Sequence, residues 1–520
     1  MDAQPIDPSP RGVQPGSPPV PRAETTPPAL RRKARAELLG LVLPSATAVT
    51  AALVVTGRVG TALMFGLATL LTTHLLRGFR YPLALLPVSR KTLAGLAPAL
   101  AVIGVSAIAA IGFDAAIPAA EVGAIAALSM LVAIAVDVFT ARWRARLPMR
   151  VAILGSPEFA IGLRRELREN PTPGIELVGW LDAGGELLDA GPVGISAVER
   201  LRKTLLKHRI DLVVRGRSAS GGSGAGFGGA RPFEFAAEAC VDLPVRMMDG
   251  AQFYEESFGH VPLGMIDSAW YLFLMHPRYR STGARAKRAL DLAVGGLAAV
   301  FALPLIAIAA VAIKLEDRGP VFYRQRRVGE GGRDFEILKL RTMTTDAEVD
   351  GAQWSRAADS RITRVGGILR RTHVDELPQL ANVLRGDMTL VGPRPERPEI
   401  VSSLEQIFPH YRRRHLVKPG VTGWAQVRCG YAGSELGTAW KLCHDLFYLK
   451  HRSVLSDLLI MLETLAIAAK DAHRPLRMPG EEFVFGRESG LERGSNEPSA
   501  PVPAPVPASA ADKPLAGLTA

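Results

Sequence analysis

The chain has little cysteine and few aromatic residues for its length. Three cysteines, Cys240, Cys429 and Cys443, stand in 520 residues. They are too few and too widely spaced for a disulfide framework or a Cys/His metal cluster, which points to a reducing compartment. Aromatic residues make up 6% of the chain, and no nucleic-acid-binding motif accompanies its net charge of +12. That charge therefore reads as attraction to an anionic membrane, with no nucleic-acid partner. A secretory signal is missing as well. Residues 1–30 hold many prolines and no apolar core behind their charges, so they are expected to be a disordered tail.

What the chain does have is long apolar runs. Its hydrophobic fraction is 48% while charged residues hold at 22%, a balance that implies membrane segments joined to soluble parts, in two or three domains. Four apolar stretches lie near 37–56, 61–76, 93–113 and 119–139, each close to the ~20 residues that cross a bilayer as a helix, the second being short. Arg31, Arg32, Lys33 and Arg35 precede the first; Arg77, Arg80, Arg90 and Lys91 divide the second from the third; Arg142, Arg144, Arg146 and Arg150 follow the fourth. The other two loops carry only Arg58, Asp114 and Glu121. The positive-inside rule then puts both ends of a four-helix transmembrane region, 31–145, in the cytosol. None of these stretches offers a charge pair for a transport path, so they read as an anchor.

Residues 149–250 change to an α/β pattern. Val151 to Gly155, Glu176 to Asp182 and Asp211 to Arg215 read as buried strands, separated by helical patterns at 158–169 and 196–208. That alternation predicts a parallel, Rossmann-like sheet. The dinucleotide fingerprint G-x-G-x-x-G is lacking: Gly155 is followed by Ser156, Pro157 and Glu158, and the next glycine is Gly162. Pro157 removes an N–H and Glu158 repels phosphate, so no nucleotide cofactor is expected there. The Gly/Ser-rich run 218–229 reads as a loop and 251–283 as a linker.

From Leu292 to Ile313 there is no charge, and both flanks are basic: Arg285, Lys287 and Arg288 before, Lys314, Arg318, Arg324, Arg326 and Arg327 after. Both flanks prefer the cytosol, and Pro304 near the middle would bend a helix. The expectation is a re-entrant hairpin over about 288–314, bent at Pro304, rather than a single span.

The stretch with most chemistry is 370–398. It runs Arg370-Arg371-Thr372-His373-Val374-Asp375-Glu376-Leu377-Pro378-Gln379-Leu380, then Arg385-Gly386-Asp387 and Gly392-Pro393-Arg394-Pro395. Leu377, Leu380, Val383 and Leu384 recur at helical spacing and predict a helix over 377–385. Two starts are open: Pro378 at the first helical position, or a capping box of Thr372 with Asp375. Either leaves Asp375 and Glu376 near a helix N-terminus, which favours their ionised forms. A carboxylate beside a divalent cation can attack a phosphoryl group while arginines hold phosphates; Arg370, Arg371, Arg385 and Arg394 are the candidates.

This signature resembles that of the bacterial sugar transferases, the polyisoprenyl-phosphate hexose-1-phosphate transferases, also called monotopic phosphoglycosyl transferases. The resemblance extends upstream through Lys287-Arg288-Ala289-Leu290-Asp291, Gly319 to Gly329 and Phe335 to Met343. Downstream it continues through Lys418 to Val427 and Asp445 to Lys450, and it covers about 284–475. The fold implied for the whole is a multidomain membrane protein: the four-helix bundle, the Rossmann-like module, and an α/β catalytic domain with a re-entrant helix, before a disordered tail at 487–520. The activity implied is transfer of a hexose 1-phosphate from a UDP-sugar, glucose or galactose, to undecaprenyl phosphate, with release of UMP. Such a reaction initiates exopolysaccharide or O-antigen repeat units at the bacterial inner membrane, with the catalytic domain on the cytosolic face.

By the same resemblance Asp375 is the nucleophile, and Asp375 and Glu376 hold Mg²⁺. Lys339, Arg341, Arg370, Arg371, Arg385, Arg394 and Gln426 contact substrate, with Lys339 and Arg341 two apart on a strand and so pointing the same way. Trp424 suits either a donor-side wall or core packing, and the cytosolic module could build a homodimer interface. Two other readings stand beside this one: an inactive membrane scaffold, or a module that itself modifies nucleotide sugars.

Overall fold

A computed structural model of the chain describes residues 42–54, 59–78, 118–146, 148–154, 157–172, 174–181, 197–216, 243–266, 270–275, 282–345, 361–408, 410–429 and 435–470, with a few isolated positions between them. The tails at 1–30 and 487–520, the loop 218–229 and most of the third apolar stretch lie outside the described residues.

In the N-terminal region the structure has helices Val42–Val54, Val59–Gly78 and Ala119–Arg146. They meet through small side chains, Ala48, Ala51, Ala52, Ala62 and Ala126, around Phe65 and Ile125. Among the described residues one helix is long and apolar enough to cross a membrane, and it lies elsewhere, at Ala284–Asp317.

Residues 149–249 form a four-stranded parallel sheet in the order β2-β1-β3-β4, from β1 Met149–Leu154, β2 Ile175–Leu181, β3 Leu212–Arg215 and β4 Arg246–Asp249. Alternate residues of β1 feed two cores. Val151 and Ile153 pack with Phe159 and Leu163 of helix Pro157–Glu169 and with helix Gly250–Phe258. Ala152 and Leu154 pack with Leu201 and Leu205 of helix Ala197–Lys207 on the other face. The sheet is thus covered on both sides, which is why its strands read as unbroken apolar runs. At the carboxyl ends of β1 and β3 the crevice holds Phe159 itself: a Cβ built on Gly216 would fall 2.4 Å from its ring.

Within 251–283, expected as a linker, residues 251–266 and 270–275 are packed structure. Ala251, Val261, Leu263, Ile266 and Trp270 share one apolar core with Val401, Phe408, Tyr411, Trp440, Leu446 and Leu449.

Beyond them, Thr282–Asp317 is one continuous helix with Pro304 inside it, not two helices joined by a turn. Both of its ends are fastened to the same domain. Near the start, Lys287 donates to the Val391 carbonyl (2.9 Å) and pairs with Asp457, and Arg288 donates to the Val383 and Leu384 carbonyls (both 2.7 Å). Buried Asp291 accepts from Thr389 Oγ1 and from the Leu390 amide. At the far end Asp317 pairs with Arg341, and Glu316 accepts the amides of Arg364 and Val365. One stripe, Ala302, Ala309 and Ile313, is buried against Ile337, Leu340 and Leu369. Another, including Leu297, Val300, Phe301, Leu303, Ile308, Val311 and Leu315, is exposed.

On this helix sit an antiparallel ribbon of β5 Phe322–Val328 and β6 Asp334–Leu340, in which Tyr323 faces Lys339, and a parallel pair of β7 Thr389–Val391 and β8 Gly420–Thr422. The predicted 377–385 helix runs Gln379–Arg385 and ends at Gly386 in the left-handed region (φ 96°), with its carbonyls at 383 and 384 taken by Arg288. Asn382 joins this helix to β6: its Oδ1 accepts the Leu338 amide (3.0 Å) and its Nδ2 donates to the Glu336 carbonyl (2.6 Å). Replacing it by Leu, of similar size, strands two part-buried backbone groups. Asn382→Leu is expected to cost about 3 kcal/mol, measured by urea unfolding of the purified protein.

Candidate active site

The two carboxylates are presented by a reversal of the chain. Helix Arg364–Thr372 starts at Thr363, whose hydroxyl accepts the Gly366 amide, and it approaches Thr342 so closely that a Cβ on Gly366 would lie 2.1 Å from the Thr342 carbonyl. It ends at His373, a non-glycine residue in the left-handed region (φ 57°), whose amide returns to the Arg370 and Leu369 carbonyls. Such a conformation costs about 1 kcal/mol for a residue with a Cβ. The turn Val374–Glu376 follows at once. Of the two predicted helix starts, the capping box is not formed: Thr372 Oγ1 bonds back to the Ile368 carbonyl at 2.9 Å. Pro378, in the right-handed region, precedes the helix.

Glu376 is the hub. Its Oε1 takes Lys339 Nζ at 3.0 Å and Arg394 Nη2 at 2.5 Å, and its Oε2 takes Arg394 Nη1 at 3.3 Å. Burial opposes its charge, but Arg394 and then Lys339 outweigh burial and hold the carboxyl far below its ordinary range. Glu376 in turn raises the pKa of Arg394. Burial lowers that of Lys339 against the pull of Glu376.

Asp375, one residue earlier, is different. It is 8% exposed and has no hydrogen bond or ion pair among the described residues. Burial and the neighbouring Glu376 charge push its carboxyl up, with Lys339, Arg370 and His373 pulling the other way. Ionisation of the pair is therefore set by burial and side-chain charges more than by a helix dipole, and it is unequal.

Arg394 is fixed by the three consecutive carbonyls at its own loop. Arg414 Nη2 donates to the Arg394 carbonyl (2.9 Å), Arg327 Nη1 to that of Pro395 (3.0 Å), and the Val328 amide to that of Glu396 (2.9 Å). Buried Arg414 is held by Asp445 at 2.8 Å and by the Tyr411 hydroxyl at 2.7 Å. Before the loop, Gly392 and Gly423 meet backbone to backbone, where a Cβ on Gly423 would lie 2.1 Å from the Gly392 carbonyl.

Of the residues expected to contact substrate, the structure brings Lys339 and Arg394 together on Glu376. Arg370 bonds Thr342 Oγ1 at 2.8 Å and lies close enough to act on the charge of Asp375. Arg341 does not share the direction of Lys339: β6 ends at Leu340, and its guanidinium turns to Asp317 at the end of the long helix. Arg371 donates to the Gly367 carbonyl in its own helix, and exposed Arg385 pairs with Asp387 (3.2 Å). Gln426 donates to the Val421 carbonyl (3.1 Å). Trp424 is core: it is 2% exposed, packs on Phe447 and donates its Nε1 to the Gly259 carbonyl. The positioning parts played by Arg327, Arg414 and Asp445 were not read from the sequence. Arg327 and Asp445 stand in signature segments, whereas Arg414 carries no local signal.

Among the described residues no group of three or more His, Cys, Asp or Glu side chains could hold a metal ion. The donor set still fits Mg²⁺, which takes one or two carboxylates and completes its shell with water and substrate phosphates. Asp375 is the uncommitted carboxylate here, and Glu376 is engaged by two cations.

Because the pKa of Glu376 is lowered from an ordinary 4.5, its contribution to stability is complete above that value and fades as pH falls towards the folded-state pKa. Glu376→Gln leaves Lys339 and Arg394 without their counter-charge. A loss of about 2 kcal/mol at pH 7 is expected, less than a fully buried pair would give because Arg394 is partly solvated. In urea unfolding series the gap between variant and wild type should narrow on acidification below 4.5.

Comparison with known proteins places this site. The family model for bacterial sugar transferases matches residues 282–471. A UDP-N-acetylgalactosamine-undecaprenyl-phosphate N-acetylgalactosaminephosphotransferase of Aeromonas hydrophila is 46% identical over 179 residues, 34% of this chain and 42% of that protein. A UDP-glucose:undecaprenyl-phosphate glucose-1-phosphate transferase of Caulobacter vibrioides is 44% identical over 181 residues, 34% of this chain and 68% of that protein. An exopolysaccharide production protein of Rhizobium leguminosarum is 38% identical over 185 residues, 34% of this chain and 92% of that protein. The matched segment thus spans less than half of the Aeromonas relative and most of the Rhizobium one. With Asp375, Glu376, Lys339 and Arg394 all inside that segment, the chain belongs to the bacterial sugar transferase family.

Proposed function

We propose that this protein transfers a sugar 1-phosphate from a UDP-sugar to undecaprenyl phosphate, releases UMP, and so begins repeat units of an exopolysaccharide or O-antigen. The observation that carries the reading is the division of labour in one turn. Glu376 is neutralised by Lys339 and Arg394, while Asp375 beside it is left uncommitted.

In the mechanism this supports, an Asp375 carboxylate oxygen attacks the donor's β-phosphorus. The bond from that phosphorus to the bridging oxygen breaks, and the oxygen leaves with UMP. The sugar phosphate is held on Asp375 as an acyl phosphate. An oxygen of the lipid phosphate then attacks the same phosphorus and the carboxylate is released. Arg394 and Lys339 carry cationic N–H groups to the edge of this site, suited to diphosphate oxygens, and Arg370 stands near the nucleophile. Mg²⁺ bound at Asp375 would neutralise diphosphate charge. Relatives bear the names of both glucose and N-acetylgalactosamine donors, so the donor is proposed at the level of a UDP-hexose.

The long helix is proposed to lie at the cytosolic face of the inner membrane, dipping into one leaflet. Its inner stripe packs along the domain from Lys287 to Asp317. A perpendicular span would carry β6 and the 364–372 helix, with Lys339, Arg370 and Arg371, into hydrocarbon at a cost of several kcal/mol per charge. An interfacial position keeps the exposed apolar stripe in lipid and the charges in water. The N-terminal helices are proposed to be further membrane anchors, and the parallel-sheet module a structural unit without nucleotide.

Two outcomes are expected. Asp375→Asn keeps the shape but removes the nucleophile, and UMP release from UDP-sugar in the presence of undecaprenyl phosphate should fall at least about 1000-fold; a variant retaining a tenth of the rate would exclude the covalent role. The attack requires ionised Asp375, whose carboxyl is held above the ordinary 3.8. The acid limb of the pH–rate profile should therefore lie above that value, with turnover lost as pH falls through it, and should move to lower pH in Glu376→Gln.

A further inference from the structure

The family-matched segment begins at residue 282, yet several buried polar groups within it find their partners before that point. Trp424 Nε1 donates to the Gly259 carbonyl at 2.7 Å, Arg428 Nη2 to the Phe258 carbonyl at 3.3 Å, and the Cys443 carbonyl accepts the Val261 amide at 3.3 Å. Glu255, 2% exposed, takes Lys450 Nζ at 2.8 Å and Trp270 Nε1 at 2.7 Å on its Oε1 and His451 Nε2 at 2.9 Å on its Oε2. These contacts converge on two elements, helix Trp424–Arg428 and the C-terminal half of helix Glu435–His451. The first begins directly after Gly423, the residue whose backbone abuts Gly392 at the root of the Arg394 loop. The second carries Asp445, which holds Arg414 on the Arg394 carbonyl.

We infer that residues 250–266 together with Trp270 are a positioning part of the transferase site, with Glu255 as its anchor, setting where Arg394 stands relative to Glu376 and the donor phosphates. The segment is itself rooted in the parallel sheet. Asp249, at the end of β4, caps helix Gly250–Phe258, and Gly259 ends it in the left-handed region (φ 74°) with its carbonyl towards Trp424. Tyr254 of that helix packs edge-on against Phe159, the ring that fills the sheet's crevice. The parallel-sheet module thus acts on the transferase reaction through packing, with no ligand of its own. This inference rests on the proposed sugar-phosphate transfer and adds to it a determinant of donor binding outside the matched segment.

The test uses the full chain in membranes. UMP release is measured against UDP-sugar and against undecaprenyl phosphate for wild type, Glu255→Ala and Glu255→Gln. Glu255→Ala should raise the donor KM about tenfold with kcat changed less than about threefold and the acceptor KM unchanged. Glu255→Gln keeps an oxygen for Trp270 and Lys450 and should return the donor KM to within about threefold of wild type. A lower rate with unchanged donor KM would reduce Glu255 to a stability role and overturn the inference, as would an Ala variant indistinguishable from wild type. If Glu255→Ala does not accumulate, His451→Gln, which removes one partner from the other side, takes its place: a donor KM raised about threefold supports the inference and an unchanged one overturns it. Absence of UMP release by wild type with every donor would instead remove the transferase reading itself, and this inference with it.

Discussion

The site depends on one charge held between two others. Glu376 is too enclosed to keep a proton off its carboxyl unaided, and the enclosed Lys339 needs a counter-ion, while Arg394 joins them from the more open side. Each makes the others' ionised state tolerable, so the three side chains define a rigid triangle with a net positive edge. Asp375 lies beside that triangle but outside it, and the difference between the two adjacent carboxylates follows: one is neutralised by its ligands, the other is left uncommitted. Much of the surrounding structure serves the corners. Asn382 fixes the strand that carries Lys339, His373 turns the chain that carries Glu376, and Arg327, Arg414 and Gly392 fix the loop that carries Arg394.

The long helix is tied to this site by the same economy of polar groups. Its charges are confined to its ends, where they satisfy backbone carbonyls and amides of the domain it underlies, including the C-terminal carbonyls of the helix that follows the Val374–Glu376 turn. Between the ends it is apolar on both faces, one packed and one bare. In the interfacial placement proposed above, the packed face meets protein and the bare face hydrocarbon. Its orientation is set by the domain, since the inner stripe is interrupted nowhere from Asp291 to Ile313.

Much of this was legible in the chain, and the failures have local physical causes. The run from Leu377 to Leu384 gave the helix after the Val374–Glu376 turn because burial of one face imposes its period on the residues. The apolar strands at 151–154 and 212–215 were readable for a similar reason, being covered on both sides. Arg341 was misdirected because alternation holds only within a strand, and β6 stops one residue before it. Thr372 resembled a cap because a hydroxyl near a helix end bonds either forwards or backwards, and only the geometry at His373 decides. Trp424 was ambiguous until its partner, Gly259, was seen 165 positions away. The pairing of Arg414 with Asp445 is long-range as well, and no local pattern encodes it. Pro304 read as the turn of a hairpin, whereas the helix runs on through it as one element, packed along its length and fastened at both ends.

The amide of Asn382 has a consequence for how the charges are brought together. It grips the backbone on either side of Ile337, two residues from Lys339, and belongs to the helix that directly continues the Asp375–Glu376 turn. Ile337 itself packs in one apolar core with Leu380 and Val383 of that helix. Lysine and carboxylate therefore stand on two elements that a polar tie and an apolar seam hold in one register, and their meeting is decided by the backbone before either charge is counted.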